Sequence, residues 1–312
     1  ATTIERMAIH FKELLSAIVA NREEKIIELP LLTTIERKKL LYTFNDTKVD
    51  YSKEDSLLGL FKERVHSHPK DTALVFGNST LSYSDLDKLS DRLVSYLKSE
   101  GVTPGTRVGM LLDRGFNMII SILGILKSGA TYVPLDPSLP LNRLEYILED
   151  SDVSYVIYND DALLENTGIS GYTFLNSNLL SSYECYSGSI ERSLDAIAYV
   201  MYTSGTTGVP KGILIKDENI LTLISEADPI HIKPSDHVLQ WSNYGFDGST
   251  YEIFGSLLGG ATLHLIEAHV ASDGNELAKV IGQEKITVAF ITTALFNAIA
   301  DSDLSLLSSI RI

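Results

Sequence analysis

Apolar residues along this chain of 312 residues follow two alternating spacings. Short continuous runs have the length of buried strands, and the longer segments between them repeat apolar residues every three or four positions, as a helix requires. The first strands are predicted at residues 73–76, 108–112, 131–135 and 154–158, and the first helices at 118–126 and 141–149. This alternation predicts an α/β fold, in which layers of helices cover mostly parallel sheets.

One further helix is marked at both ends. The leucines at positions 86, 89, 93 and 97 share one helix face. Ser82 and Asp85 have the spacing of a capping box at its start, and Gly101 is suited to end it. The sequence therefore predicts an amphipathic helix that packs on the sheet.

The same alternation continues in the second half of the chain. Strands are predicted at 197–202, 212–215, 238–240, 262–266 and 286–291, and helices at 250–258, 276–284 and 293–300. We predict a first α/β subdomain at 51–195 and a second one at 196–312. The last residues, Ile310 to Ile312, have the pattern of a strand that begins, so we expect the chain to be part of a longer protein.

The first fifty residues differ from the rest. A predicted amphipathic helix carries Phe11, Leu14 and Ile18 on one face, and a charged helix follows at 34–41. The apolar face needs a partner. We predict that residues 1–50 are a linker to another domain.

Composition narrows the classes of function. The formal net charge of −15, with no cluster of lysine and arginine, argues against nucleic acid as a partner. The longest apolar run, at 118–126, is too short to cross a membrane. The spacing of the histidines does not indicate a metal site. Cys185 is the only cysteine, which favours a reducing, cytoplasmic location.

The most informative stretch is Tyr202-Thr-Ser-Gly-Thr-Thr-Gly-Val-Pro-Lys-Gly212, between two predicted strands. Its glycines, Gly205 and Gly208, allow positive φ angles, which let consecutive N–H groups point inward around an anion. Lys211 adds a positive charge. Four hydroxyl donors complete the predicted phosphate-binding loop: Thr203, Ser204, Thr206 and Thr207.

Two other interpretations of this loop were weighed. A P-loop needs Gly-x4-Gly-Lys-Ser/Thr that opens into a helix, whereas Lys211 is followed by a strand pattern without Ser or Thr. An ordinary solvated hairpin turn remains open, although the loop holds more donors than any turn type requires.

Four motifs in order resemble one family. The segments 81–86, 126–136, 202–212 and 246–254 are similar to motifs of the adenylation domain of nonribosomal peptide synthetases, within the acyl-adenylate-forming enzymes. The resemblance covers residue 51 to the end, which implies the N-terminal core subdomains of a truncated adenylation domain. Residues 15–47 resemble the connection that follows a condensation domain.

The resemblance implies a reaction and its participants. ATP and an amino acid would give aminoacyl-AMP and pyrophosphate, and the acyl group would pass to phosphopantetheine on a carrier protein domain. Lys211 and Thr207 are the expected catalytic residues, and residues 203–208 with Lys211 the expected nucleotide-binding residues. A condensation domain and the carrier domain are the expected partners. Mg²⁺ should accompany ATP, with its protein ligand beyond Ile312, so we expect the chain alone not to turn over.

The resemblance also assigns an amino-acid pocket. Asp247 would pair with the substrate α-ammonium, and its apolar neighbours would make an unpaired buried carboxylate costly. The alternative is that Asp247 only caps the helix that follows. Gly248, Tyr251 and Phe290 would contact the side chain, which favours an uncharged, hydrophobic amino acid. Core packing is the alternative for Tyr251 and Phe290.

Two other functions remain open at the level of sequence. An acyl-CoA or aryl-acid ligase of the same superfamily has a substrate without an ammonium group, which would leave Asp247 without a partner. A docking scaffold with a vestigial loop would need no chemistry at all.

Overall fold

The computed structural model describes residues 2–48, 56–188, 190–203, 209–224, 231–293, 296–297 and 307–311. The chain divides into two compact units, Ala1–Ser52 and Lys53–Ile312. Each unit has its own internal organisation and is described separately.

The smaller unit contains two helices, α1 (Thr2–Ala20) and α2 (Thr34–Leu41). The predicted charged helix is confirmed, and Thr33 caps it by accepting a hydrogen bond from the Glu36 backbone. His10 of α1 lies 3.0 Å from the Glu36 carboxylate and links the two helices. On the apolar face predicted for α1, Phe11 and Ile18 are exposed and Leu14 is half-buried.

The larger unit alternates helices and strands, as the sequence predicted. Its helices are α3 (Leu57–Ser67), α4 (Tyr83–Ser99), α5 (Phe116–Lys127), α6 (Leu141–Asp150), α7 (Asp161–Thr167), α8 (Asp217–Leu223), α9 (Gly248–Gly259), α10 (Ala268–Ser272) and α11 (Gly274–Gln283). Its strands are β1 (Thr72–Phe76), β2 (Ser79–Ser82), β3 (Arg107–Leu111), β4 (Thr131–Pro134), β5 (Tyr155–Tyr158), β6 (Thr173–Asn176), β7 (Ile197–Thr203), β8 (Lys211–Lys216), β9 (His237–Gln240), β10 (Thr262–Leu265) and β11 (Val288–Ala289).

The strands form two sheets. A five-stranded sheet has the order β11-β9-β10-β1-β2, and a six-stranded sheet has the order β6-β5-β3-β4-β7-β8. Pairing is parallel except for the edge hairpins β1–β2 and β7–β8. The predicted α/β class with mostly parallel sheets is therefore confirmed.

Two helices form the layer between the sheets. Helix α4 contacts β1 and β2 of one sheet, α5 contacts β3 and β4 of the other, and the two helices pack on each other. The helices approach closely because Gly124 of α5 has no side chain: a Cβ there would lie 2.6 Å from Leu93 of α4. Although α5 is buried from Met118 to Lys127, no helix among the described residues has both the length and the apolarity that crossing a bilayer demands.

Some elements differ from the sequence prediction. The last strand is shorter than predicted, since only Val288–Ala289 pairs with β9. Ile310 and Arg311 are not a strand, and the Arg311 guanidinium instead donates to Asp236 at 2.9 Å. Most of the helix predicted at 293–300 lies outside the described residues. Short elements such as β2 and α7 were not predicted, because they carry too few residues for a periodic signal.

Strand pairing crosses the predicted boundary between residues 195 and 196. Strands β1 and β2 come from the first half but pair in the sheet of β9, β10 and β11, while β7 and β8 from the second half extend the other sheet. Sheet membership thus does not follow that division. The assignment of 1–50 as a linker and of two subdomains after it stays a prediction.

The hydroxyl of Tyr244 ties the two sheets together. Tyr244 lies after β9 of the five-stranded sheet, yet its hydroxyl is 2.9 Å from the Met110 carbonyl and 3.1 Å from the Leu135 carbonyl of the other sheet. It also accepts a hydrogen bond from the Leu112 backbone at 3.2 Å. Since the side chain is buried, these backbone groups have little access to water.

We expect Tyr244→Phe to destabilise the protein by about 1 to 3 kcal/mol, because it leaves the buried Leu112 N–H without its acceptor. Chemical denaturation monitored by fluorescence measures the change. Tyr172→Phe is the matched control, since Tyr172 is half-buried and its hydroxyl has no hydrogen bond within the described ranges. Equal stability of the two variants would contradict the role given to Tyr244.

Candidate active site

A cavity of about 1030 Å³ lies where strands of both sheets end. Its wall is built from residues that directly follow β3, β4, β9, β10 and β11, namely 112–114, 136–138, 241–244, 267–268 and 290. The carboxyl ends of parallel strands are the usual position of ligand sites in α/β proteins, because the loops that leave the sheet there converge. The cavity is therefore the candidate active site.

Asp247 lies in the wall of this cavity. It directly precedes α9, but its side chain makes no capping hydrogen bond, so the alternative that it serves as a helix cap is not supported. Within the described ranges its carboxylate has no hydrogen bond or ion pair. This leaves it available to a ligand.

The expected burial of Asp247 among apolar neighbours is wrong. Asp247 and Phe246 are both exposed, whereas Ile253 and Phe254 are buried in the core. The reason is helical geometry: α9 turns its inner face to the core from Ser249 onward, and Asp247 lies before that first turn. Its carboxylate is therefore solvated at the edge of the cavity and carries no burial cost.

Gly248 and Phe290 meet in the same wall. A Cβ on Gly248 would lie 3.1 Å from the Phe290 ring and 2.8 Å from the Ser242 hydroxyl, so the backbone of α9 packs directly against both. Phe290 is 50% exposed and lines the cavity, which does not support the core-packing alternative for it. The glycine is needed for space rather than for an unusual φ angle.

Tyr251 does not line the cavity, contrary to the prediction. It is half-buried and packs against the main hydrophobic core, which is the alternative weighed from sequence. Its side chain contacts that core instead of the cavity, although Tyr251 lies only one helical turn after Asp247. The wall predicted from Gly248, Tyr251 and Phe290 thus keeps two of its three members.

Residues on either side of the phosphate loop are paired across β7 and β8. Thr203 and Lys211 are directly opposite each other, and both are exposed. Neither is part of the cavity wall. Ser204, Gly205, Thr206, Thr207 and Gly208 lie outside the described residues, so the shape predicted for the loop stays a prediction.

Strand β7 connects the loop to the turn that carries Asp247. Tyr199 of β7 lies 2.6 Å from the Thr250 hydroxyl in the first turn of α9. Burial raises the pKa of Tyr199, and the nearby Asp247 carboxylate raises it further. Since β7 runs parallel to β4, its carboxyl end at Thr203 leaves the sheet at the same edge as the wall residues after β4. Thr203, the last described residue before the loop, and Asp247 thus lie at one edge of the fold.

A buried carboxylate near the cavity was not predicted. Glu252 of α9 is 1% exposed and accepts hydrogen bonds from the Ser242 backbone at 3.1 Å and from its hydroxyl at 2.8 Å. Burial raises the pKa of Glu252 to about 7, outweighing the opposing effect of these hydrogen bonds. The sequence held one signal for it, since Glu252 is the only charged residue in the otherwise uncharged helix α9.

A second polar contact joins the two sheets at the rim. The Asn243 amide donates to the Asp136 carboxylate at 2.9 Å, and Asp136 also accepts from the Ser138 hydroxyl at 2.7 Å. This contact connects the loop after β4 with the loop that leads to Asp247. The cavity therefore has a wall that is fixed from both sheets.

The described part of the chain offers no cluster of three His, Cys, Asp or Glu side chains arranged to hold a metal ion. Among the described residues of the cavity wall, Arg114 is the one with a positive charge, and its guanidinium already donates to the Trp241 carbonyl at 2.7 Å.

We expect stability to depend on pH through Glu252. Its folded pKa of about 7 exceeds the ordinary value of 4.5. The contribution of Glu252 to the free energy of unfolding is therefore fully present below about pH 4.5 and is lost as pH rises through 7. The free energy of unfolding should fall by up to about 3 kcal/mol across this window. Glu252→Gln should remove that fall, whereas Glu165→Gln at an exposed site should not. Denaturation series at pH 5 and pH 8 measure it, and a fall that persists in Glu252→Gln would refute the assignment.

Comparison with known proteins agrees with the fold and the motifs. The profile of the family described as AMP-binding enzyme matches residues 61–312. Bacitracin synthase 1 of Bacillus licheniformis is 37% identical over 99% of this chain, and surfactin synthase subunit 1 of Bacillus subtilis is 35% identical over 99%. The chain spans only 6% and 9% of the length of these relatives.

Solved structures show the same architecture. The N-terminal subdomain of Klebsiella oxytoca NpsA, in complex with 3-hydroxyanthranilyl-AMSN, superposes with a TM-score of 0.75 at 25% identity. This match covers 82% of our chain and 65% of that one. The nonribosomal peptide synthetase FmoA3 gives a TM-score of 0.81 at 22% identity over 99% of our chain and 34% of its own, which supports the fold alone. The chain belongs to the AMP-binding enzyme family. Its relatives in that family include nonribosomal peptide synthetases, whose adenylation-domain motifs it resembles.

Proposed function

We propose that this chain is part of an enzyme that activates an amino acid with ATP, forming aminoacyl-AMP and pyrophosphate, and that the acyl group then passes to a carrier-bound phosphopantetheine thiol. One observation carries the proposal. Strand β7, which leads into the phosphate loop, contacts the helix turn that carries Asp247 through Tyr199 and Thr250, 2.6 Å apart. Nucleotide chemistry and an amino-acid anchor would thus lie at one edge of the fold.

In the proposed first step, an oxygen of the substrate carboxylate attacks the α-phosphorus of ATP. A new P–O bond forms, and the bond to the bridging oxygen breaks, so that pyrophosphate leaves with the electron pair. The role of residues 203–208 and Lys211 is to restrain the triphosphate and offset the charge on the leaving group, with Lys211 and Thr207 acting on it directly. Mg²⁺ would accompany ATP and add to this charge compensation.

Asp247 is proposed to bind the α-ammonium group. Its carboxylate is exposed at the cavity wall and has no partner within the described ranges. The wall also contains Asp113, Asp136 and Glu267, whereas Arg114 donates to main-chain carbonyls and to the Gln240 side chain. The resulting negative potential favours a substrate that carries a positive charge.

The substrate side chain is proposed to be uncharged and hydrophobic. The support comes from Gly248 and Phe290, which contact each other in the cavity wall, and from Trp241 in the same wall. The proposal no longer depends on Tyr251, which packs in the core.

The expected partners are a carrier protein domain and a condensation domain. The synthetase relatives are many times longer than this chain, and one neighbouring structure is an artificially fused adenylation-PCP di-domain of NpsA and ThdA. We therefore propose that the chain works within a larger assembly line, where residues 1–50 connect it to a preceding domain. A cytoplasmic location stays a prediction.

A ligase for aryl acids is the second candidate. It is favoured by one observation, namely that NpsA subdomain structures carry anthranilyl-AMSN and 3-hydroxybenzoyl-AMSN. An aryl or fatty acid has no α-ammonium group, so Asp247 would then have no ligand to pair with.

Asp247→Ala separates these candidates. In the protein that carries the complete adenylation domain, we expect amino-acid-dependent ATP–pyrophosphate exchange to lose at least about 30-fold in kcat/KM, which is the effect of ~2 kcal/mol for a charged hydrogen bond. Asp161→Ala, which removes an exposed carboxylate on α7, should leave exchange unchanged. If Asp247→Ala retains full exchange, or gains exchange with an aryl or fatty acid, the amino-acid assignment is wrong.

The loop is tested by Lys211→Ala and Thr207→Ala in the same protein. We expect kcat of exchange to fall about 100-fold and 10-fold respectively, because each change removes a group that offsets charge on the pyrophosphate. Lys233→Ala is the matched control, since Lys233 is exposed and outside the cavity wall. Exchange that survives both changes would contradict the role given to the loop, whereas a wild type that neither binds nucleotide nor exchanges pyrophosphate would support the scaffold alternative.

A further inference from the structure

Ser242 occupies a constrained position in the cavity wall. It follows β9 and is 6% exposed, and its hydroxyl contacts the first turn of α9 at Gly248. The distance of 2.8 Å between this hydroxyl and the place of a Cβ on Gly248 leaves no room for movement toward α9. Whatever fixes Ser242 therefore fixes the surface that Gly248 and Phe290 present to the cavity.

Glu252 is the group that fixes Ser242. Glu252 lies four residues after Gly248, on the same face of α9. It accepts from both the backbone and the hydroxyl of Ser242, at 3.1 Å and 2.8 Å. Because a serine hydroxyl has a single hydrogen, which is donated to Glu252, its oxygen faces the cavity only as an acceptor.

Glu252 is itself held by a chain of polar groups. The Gln240 amide nitrogen is 3.3 Å from Glu252, and the Gln240 amide oxygen accepts from Arg114 at 3.2 Å. Arg114 comes from the loop after β3, in the other sheet, and lies in the cavity wall. This series of hydrogen bonds thus orients Glu252 from both sheets.

We propose that Glu252 is a positioning residue for the amino-acid pocket, acting through Ser242 to hold Ser242, Gly248 and Phe290 as one fixed wall. The inference rests on the proposed function. Glu252 does not itself line the cavity, so any effect on the substrate passes through Ser242. No ion pair to Glu252 is found in the part of the chain that the structure describes, so burying this carboxylate is costly. If the position served only to fill space, an apolar side chain would do so at a lower cost.

A double-mutant cycle tests this route. Glu252→Gln, Ser242→Ala and the double variant are compared in the protein that carries the complete adenylation domain, with pyrophosphate exchange measured at varied amino acid and varied ATP. The probe is whichever proteinogenic amino acid gives the wild type its fastest exchange. Unfolding curves at pH 8 check that each variant folds, and Glu165→Gln is the exposed control.

We expect each single variant to raise KM for the amino acid about 10-fold, with kcat and KM for ATP within about twofold of the wild type. The double variant should be no worse than Ser242→Ala alone, because the hydroxyl through which Glu252 acts is already absent and the amide oxygen of the glutamine can still accept from the Ser242 backbone N–H. Equal effects on both substrates, or additive effects in the double variant, overturn the positioning role. A wild type without exchange for any amino acid overturns the proposed function itself, so the two failures are distinguishable.

Discussion

Parallel strand pairing is the constraint on which this structure depends. Strands β3, β4 and β7 run in one direction in the six-stranded sheet, and β1, β9, β10 and β11 do the same in the five-stranded sheet. Parallel strands need crossover connections, which place helices on the sheet faces and direct the loops after the strands to a common edge. The cavity is formed where these edges meet, and its wall contains the residues that follow five of the strands.

Polar contacts then hold the two edges in register with each other. The Tyr244 hydroxyl reaches backbone groups of the other sheet, and Asn243 bonds Asp136 across the rim. Such buried contacts are costly to leave incomplete, since a donor or acceptor cut off from water loses its full solvation. They stabilise one relative placement of the sheets, and that placement sets the width of the cavity.

The charges around the cavity divide into two kinds. Glu252 is buried, and burial raises its pKa to about 7, while hydrogen bonds from Ser242 favour its charged form. Asp247 is exposed in the wall, and its charge helps to raise the pKa of Tyr199 on β7. One carboxylate is thus committed to the protein and the other is open to a ligand. A positively charged group fits such a site better than a second anion.

The sequence by itself determined the fold class, the order of the long elements and the family. Several signals are local: the spacing of apolar residues in strands and helices, the cap at Ser82 and the glycine at 101. A local signal can be read from a short segment without knowing how the rest of the chain folds. The phosphate loop could also be predicted locally, because its residues form one contiguous run.

Only the tertiary structure decided which of the predicted site residues meet. Asp247 was expected to be buried and is exposed, and Tyr251 packs in the core rather than in the cavity wall. Glu252 was missed because its partner Ser242 is ten residues away on another element. Burial and contact depend on how α9 is rotated against two sheets, and that rotation is set by long-range packing that no local pattern contains.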